Sequence, residues 1–341
     1  MTHRSFVIAR VIASAIALGS WATIGVAGQS ADAPKKASKP YTPPRTPDGQ
    51  PDLQGYWTNS TYVPLERPDG VTKEYYTPAE AEEAIKKAAQ REAEQTEPGT
   101  TADVHYDFTQ FGLDRSQSTF ARSLRTSLIV DPPDGKVPPL NAEGRKRAAE
   151  RAAARKAAGG PYDAVQNMPI GSRCIIMGGA GPPLMNAGYN ANYQIVQGPG
   201  YVMILTEMIH DVRVIPLDAR TPPPAGLRQW VGVSRGHWDG NTLVVETTNF
   251  NGKNPFRGAT ENMKVTERFA RVADDSIIYR FTVEDKSTWD IPWTAEEVMA
   301  KTNGPIFEFA CHETNYGIAN ILAGARADEK RAAEAKKKST N

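Results

Sequence analysis

The chain has 341 residues and a formal net charge of +1, from 40 Lys and Arg against 39 Asp and Glu. This near-neutral balance excludes nucleic acid as a first-choice partner, since such binding rests on phosphate neutralisation by clustered cations. The length allows a substantial core in one or two domains.

Residues 1–28 follow the grammar of a secretory signal peptide. Arg4 and Arg10 give a positive start without an acid, residues 11–26 are uncharged, and Val26-Ala27-Gly28 offers small residues for cleavage after Gly28. The alternative is a membrane anchor, but the uncharged stretch is shorter than the about 20 apolar residues that a spanning helix needs. Cleavage removes two cations, takes the formal charge from +1 to −1, and leaves no membrane span. The expected destination is the periplasm or the medium. In that setting the two cysteines, Cys174 and Cys311, are expected to form a disulfide. The rival is a nucleophilic Cys311 beside His312, for which a strand is poor geometry because adjacent residues point to opposite faces.

Residues 29–52 are rich in Pro, Ala, Lys and Ser and read as a disordered linker. Thr46-Pro47-Asp48-Gly49 within them is a turn signal. Residues 53–160 read as an N-terminal strand, helices and irregular segments packing on a sheet domain. Thr77-Pro78-Ala79-Glu80 is a capping box with Pro at the first helical position, opening a helix to about Glu94. Asn141 caps a second helix over 142–158, stopped by Gly159-Gly160 and Pro161. A third helix over 318–337 runs into a charged, solvated tail at 323–341.

Between the second and third helices, over residues 161–322, the period changes to two. Segments 193–197 and 201–206 flank Gly198-Pro199-Gly200, a hairpin signal. A short strand follows at 212–217. Segments 229–238 and 242–248 flank Asp239-Gly240, the strongest hairpin signal in the chain. Segments 263–272 and 276–284 flank Ala273-Asp274-Asp275, and 293–301 ends at Asn303-Gly304. Short turns make successive strands antiparallel. The fold class is therefore mainly β with peripheral α-helices, an antiparallel barrel-like sheet that removes its own edges. Gly55-Tyr56-Trp57 carries the Gly-x-Trp that opens lipocalin barrels, and its place before the strands resembles that lipocalin or calycin arrangement.

Ionisable groups on apolar strand faces are the candidates for chemistry. Folding the hairpin about Asp274 sets Glu267 opposite Phe281 and Phe269 opposite Tyr279. Glu267 is thus an anion in an apolar patch, where burial raises a carboxyl pKa and makes a general acid. The bland alternative is a structural pair with an arginine across the sheet. Glu297 is a second carboxylate, on a face with Trp293 and Met299. His210, His237 and His312 have no recognised metal-ligand spacing, so neither metal nor cofactor is expected. Arg235-Gly236-His237-Trp238-Asp239-Gly240 joins a cation, a titratable ring and an indole at a hairpin end. It reads either as turn chemistry or as a substrate-orienting Arg235 beside an acid/base His237. His210-Asp211-x-Arg213 is a similar cluster. The chain lacks a phosphate loop, a Gly-x-Ser-x-Gly elbow, His-Glu-x-x-His and Cys-x-x-Cys.

The segment 46–57, Tyr193-Gln194-Ile195-Val196-Gln197, Glu207-Met208-Ile209-His210-Asp211-Val212-Arg213, Arg235-Gly236-His237-Trp238-Asp239-Gly240 and Cys311-His312-Glu313-Thr314-Asn315-Tyr316 together resemble a family of exported, functionally uncharacterised proteins of soil and aquatic bacteria. The resemblance implies export and a single extended domain, and implies no chemistry.

Three functions follow. The first is an exported barrel that binds a small apolar or aromatic molecule through Trp238, Phe269, Tyr279, Phe281, Trp293 and Glu297. The second is an acid/base enzyme, a lyase, isomerase or hydrolase, with Glu267 partnered by His237 or His210 and Arg235 orienting the substrate. The third is a scaffold that presents the helical arm and tail to a partner.

Overall fold

The computed structural model describes residues 41–94, 121–177, 181–186, 190–217, 223–313 and 315–340. The expected signal peptide and the first half of the expected linker, residues 29–40, lie outside them. The described residues contain ten strands: β1 (Gly55–Thr58), β2 (Ile129–Asp131), β3 (Asn192–Gly198), β4 (Tyr201–Thr206), β5 (Val212–Pro216), β6 (Val233–Asp239), β7 (Thr242–Thr248), β8 (Lys264–Ala273), β9 (Ser276–Glu284) and β10 (Trp293–Lys301). They form one sheet in the order β5-β4-β3-β1-β10-β9-β8-β7-β6, with β2 added beside β10. Each ladder in it is antiparallel.

The two end strands, β5 and β6, come back beside each other, so the sheet is nearly closed into a barrel. Gly236 makes the approach possible. A Cβ there would lie 2.9 Å from Ile215 Cγ2 and 3.1 Å from Leu217 Cδ2, which is tighter than packed side chains tolerate.

Turn chemistry sets the pairing. Gly240 takes φ +60 at the first central position of the β6–β7 hairpin, the conformation a type II′ turn needs from glycine. The β8–β9 register places Glu267 opposite Phe281 and Phe269 opposite Tyr279, as folding about Asp274 predicts. Two local expectations shift. Residues 229–232 form a turn rather than the start of β6, because Gly232 at φ +68 runs so close that a Cβ would meet Thr248 O at 2.5 Å. β2 has only three residues, too few to show a period.

The chain is also ordered earlier than Leu53. Arg45 bridges Pro51, and Gly49 N–H donates to Thr46 O at 2.8 Å in the turn that Thr46-Pro47-Asp48-Gly49 signals. Tyr41 OH donates to Asp274 at 2.9 Å and Arg45 donates to Asn241 at 2.8 Å, which pins this segment to the β8–β9 and β6–β7 turns.

Inward-facing side chains fill the barrel. Trp57, Phe269, Tyr279, Phe281 and Trp293 are fully buried. Their rings pack in sequence, with centroids 4.8 Å apart for Phe269–Tyr279, 5.6 Å for Tyr279–Phe281 and 5.9 Å for Phe281–Trp293. Burial of this kind is worth about 1.5–3 kcal/mol per large side chain before entropy is counted.

Among the described residues three α-helices lie outside the barrel: α1 (Pro78–Glu94), α2 (Ala142–Ala157) and α3 (Tyr316–Thr340). The capping box of α1 is formed, Glu80 N–H donating to Thr77 Oγ1 at 3.3 Å and Thr77 N–H to Glu80 Oε2 at 2.8 Å. Asn141 Oδ1 accepts the Gly144 N–H at 2.8 Å and starts α2. Gly144 then lets α2 press on the β9–β10 connection, since a Cβ there would stand 2.9 Å from Thr288 O. Among the described residues no helix is long and apolar enough to cross a membrane.

Candidate binding cleft

Strand direction sorts the connections. The tight hairpins at 199–200, 240–241 and 274–275 lie at one end of the barrel. The longer connections at 207–211, 249–263 and 285–292 lie at the other, and this end is closed by residues 181–186. Leu184 of that plug is fully buried, and its N–H donates to the Tyr279 hydroxyl at 2.9 Å.

Beneath the plug runs a buried polar chain. The Tyr279 hydroxyl donates to Glu267 Oε1 at 2.8 Å. Arg213, from β5, donates two parallel hydrogen bonds to the same carboxylate, Nη1 to Oε2 at 2.8 Å and Nη2 to Oε1 at 3.1 Å. Glu267 has no exposed side-chain surface and Arg213 keeps 9 %. A bidentate guanidinium is the partner that a fully desolvated carboxylate requires. Burial, reinforced by the Glu267 charge, holds the Tyr279 phenol well above its ordinary value of 10.0, so it acts as a donor.

A second buried group differs in kind. Glu297 Oε1 accepts from Asn59 Nδ2 at 2.8 Å, and the Tyr193 hydroxyl donates to Asn59 Oδ1 at 3.3 Å. Among the described residues Glu297 has no cation in ion-pair contact, and its Oε2 has no hydrogen-bond partner. Burial pushes its carboxyl up to about 8, the Asn59 contact pulling slightly the other way. At neutral pH Glu297 is therefore mostly a neutral acid.

Above the plug lies a cleft of about 390 Å³, within the size range of small-molecule sites. Its walls come from four places. Ile176 and Met177 follow Cys174, whose disulfide to Cys311 ties this segment to the chain leaving β10. Pro182, Pro183 and Met185 are the outer face of the plug, and Met208 comes from the β4–β5 connection. Trp230, Phe250, Phe256 and Met263 complete the apolar surface, with Asn186, Asn254 and Arg257 supplying polarity. Phe256 stacks on Trp293 with centroids 6.0 Å apart, so the cleft rests directly on the aromatic core. Thioethers at 177, 185, 208 and 263 give it a soft lining that adapts to a ligand's shape.

The residues expected to act together are distributed differently. Glu267 faces the interior and is engaged by Arg213 and Tyr279. His237 is exposed on the outer face of β6, opposite Val244, and Arg235 lies on that same face, opposite Glu246. His210 is exposed, and its Nδ1–H donates to Phe309 O at 3.0 Å. Neither histidine is within hydrogen-bond reach of Glu267. Phe269, Tyr279, Phe281 and Trp293 are packed core, and Trp238 is half-buried against it. Cys174 and Cys311 are joined, which removes the nucleophilic reading of Cys311. Among the described residues no group of three or more His, Cys, Asp or Glu is placed to hold a metal ion.

Sequence patterning does not single out Met177, Met185, Phe256 or Arg257, because they sit on segments with neither strand nor helix period; Trp230 falls in the segment 229–238 that reads as strand and Met208 just past 201–206, and nothing there marks either as cleft lining. The signal that marks their region is the Gly/Pro-rich run at 178–183, which forbids helix and ladder beside apolar residues. Comparison with protein families, with curated proteins and with solved structures finds no match to this chain.

Proposed function

We propose that this chain is an exported protein whose barrel-like scaffold binds a small apolar or aromatic molecule in the cleft at its plugged end. The observation that carries the reading is the cleft itself: about 390 Å³, walled by methionines and aromatic rings with few polar groups. That composition is typical of small-molecule pockets. The solid barrel interior serves as the rigid base on which the binding loops are mounted. Export is supported by Arg4, Arg10 and the uncharged segment before Gly28, and a disulfide is compatible with an oxidising compartment. The resemblance to exported bacterial proteins belongs to the same reading.

The test is titration with N-phenyl-1-naphthylamine, an uncharged aromatic dye that fluoresces in apolar surroundings. Saturable binding that is weakened about tenfold or more by Phe256→Ala and by Met263→Ala is expected, while His237→Ala on the outer face leaves it unchanged. Non-saturable binding, or binding indifferent to both cleft substitutions, overturns the proposal.

A further inference from the structure

The cleft has one feature that an apolar site does not need. Arg257 is the single ionisable residue lining it among the described residues. Its neighbours in the lining include no carboxylate to neutralise it, and its guanidinium makes no hydrogen bond or ion pair with any described residue. Its backbone sits at φ +49, ψ 31, a left-handed conformation uncommon outside glycine that persists only where surrounding structure enforces it. The enforcement is visible. Phe256 is stacked on Trp293 on one side. On the other, Ala259 N–H donates to Phe256 O at 3.0 Å and Arg151 Nη1 donates to Gly258 O at 3.3 Å.

The electrostatic surroundings favour an anion. Arg151 spends its hydrogen bond on a backbone carbonyl, and Arg228 spends one guanidinium nitrogen on the carbonyls of Phe250, at 3.1 Å, and Glu261, at 3.0 Å. Both therefore keep a full positive charge near the β7–β8 connection. Lys253 adds a third cation. The opposing charges are Glu261, whose carboxylate leans over Gly252, a Cβ there falling 3.0 Å from Oε2, and Asp285, whose Oδ2 accepts the Thr260 N–H at 2.6 Å. Asn254, exposed and also lining the cleft, supplies a neutral donor close in sequence to Arg257.

Resting on the ligand-cleft reading, we infer that the ligand is an amphiphilic anion. Its apolar or aromatic body lies against Phe256, Met263 and Met208, and its acidic head, a carboxylate or sulfonate, is held by Arg257 with Asn254. The guanidinium recognises such a head through charge-assisted hydrogen bonds, and a low-polarity wall strengthens them.

The experiment compares two dyes of nearly the same shape, N-phenyl-1-naphthylamine and its sulfonated counterpart 1-anilinonaphthalene-8-sulfonate, on the full chain. The readout is the ratio of their dissociation constants. The sulfonate is expected to bind about tenfold tighter at low salt, the scale of one charge-assisted contact at a partly exposed site. The advantage should shrink in high salt. Arg257→Gln should bring the ratio to about one, and Arg257→Lys should retain part of it. A ratio near one in the wild type, or a ratio unmoved by Arg257→Gln, overturns this inference while leaving the cleft reading intact. Failure of the uncharged dye to bind saturably overturns the cleft reading itself, and the inference with it.

Discussion

Arg213 and Glu267 form a bidentate ion pair, at 2.8 and 3.1 Å, between strands that are far apart in the ladder order. β5 ends the sheet on one side, and β8 lies two strands in from the other end. Backbone hydrogen bonds do not join β5 to β6, so this pair ties the two ends of the sheet together from inside. The carboxylate side chain is fully buried, and its desolvation is offset only while the guanidinium and the Tyr279 hydroxyl remain in place.

Removing one partner should therefore be far worse than removing both. Arg213→Met is expected to cost about 3–5 kcal/mol, because it leaves a buried charge without compensation. Adding Glu267→Leu to that variant should restore most of the loss, since a hydrophobic substitute for a buried pair is often neutral. Urea denaturation of the two single variants and the double variant gives the coupling directly. Additive losses would show that the pair does not hold the seam.

Glu297 predicts an opposite dependence on pH from that of a salt-bridged carboxylate. Its pKa rises from an ordinary 4.5 to about 8 in the folded chain, with burial as the cause. Between these values the unfolded chain has lost this proton and the folded chain retains it. Stability from this group is fully present below about 4.5, falls as pH rises through the window, and levels off above about 8. The slope approaches about 1.4 kcal/mol per pH unit for a single site. Glu297→Gln keeps the contact with Asn59 available and removes the titration, so its stability curve should be flatter across the window. Denaturant midpoints measured from pH 4 to pH 9 for both proteins test this, and parallel curves would show that Glu297 titrates normally.

The two buried glutamates show what the sequence carries and what it does not. Period-two alternation puts Glu267 and Glu297 on the inner face, because strand parity is a local property. The β8–β9 register follows from the same logic and a short turn. The partner of each glutamate is not local. Arg213 is 54 residues from Glu267, and closure of the sheet brings them together; Asn59 is 238 from Glu297, and the long-range pairing of β1 with β10 does so. His237 and Arg235 sit on a strand whose parity is also legible, yet facing out or in depends on which side becomes the core. Trp238, Leu243 and Phe269, aligned across β6, β7 and β8, decide it. The cleft is the least legible part. Its walls come from 176–177, 181–186, 208, 230 and 250–263, segments whose faces only tertiary packing assigns.

The disulfide links stability to the cleft wall. Cys174 and Cys311 are 137 residues apart, so the bond constrains a long loop in the unfolded chain, worth about 2–4 kcal/mol. It also anchors the segment that carries Ile176 and Met177 into the cleft. Cys311→Ser should lower stability by that amount and weaken dye binding severalfold, whereas a purely global effect would leave binding unchanged well below the melting temperature. Thiol titration of unreduced, denatured protein should find no free thiol on these two residues.

Tyr279 links the plug to the ion pair. Its hydroxyl accepts the Leu184 N–H at 2.9 Å and donates to Glu267 at 2.8 Å, so one atom serves the cleft floor and the buried charge together. Tyr279→Phe keeps the tilted ring contacts with Phe269 and Phe281 but leaves a buried N–H without its acceptor and the carboxylate with one donor fewer. The expected cost is about 1–3 kcal/mol. The local consequence is sharper than the global one. The Leu184 amide should lose hydrogen-exchange protection by more than the global stability change accounts for, because the plug can then open while the barrel stays folded. Equal loss of protection at Leu184 and at barrel amides such as Phe281 would mean that the plug and barrel open as one unit. In that case the hydroxyl contributes to the core alone. A selective loss at Leu184 would instead mark residues 181–186 as a movable floor of the cleft whose closure depends on the Tyr279 hydroxyl.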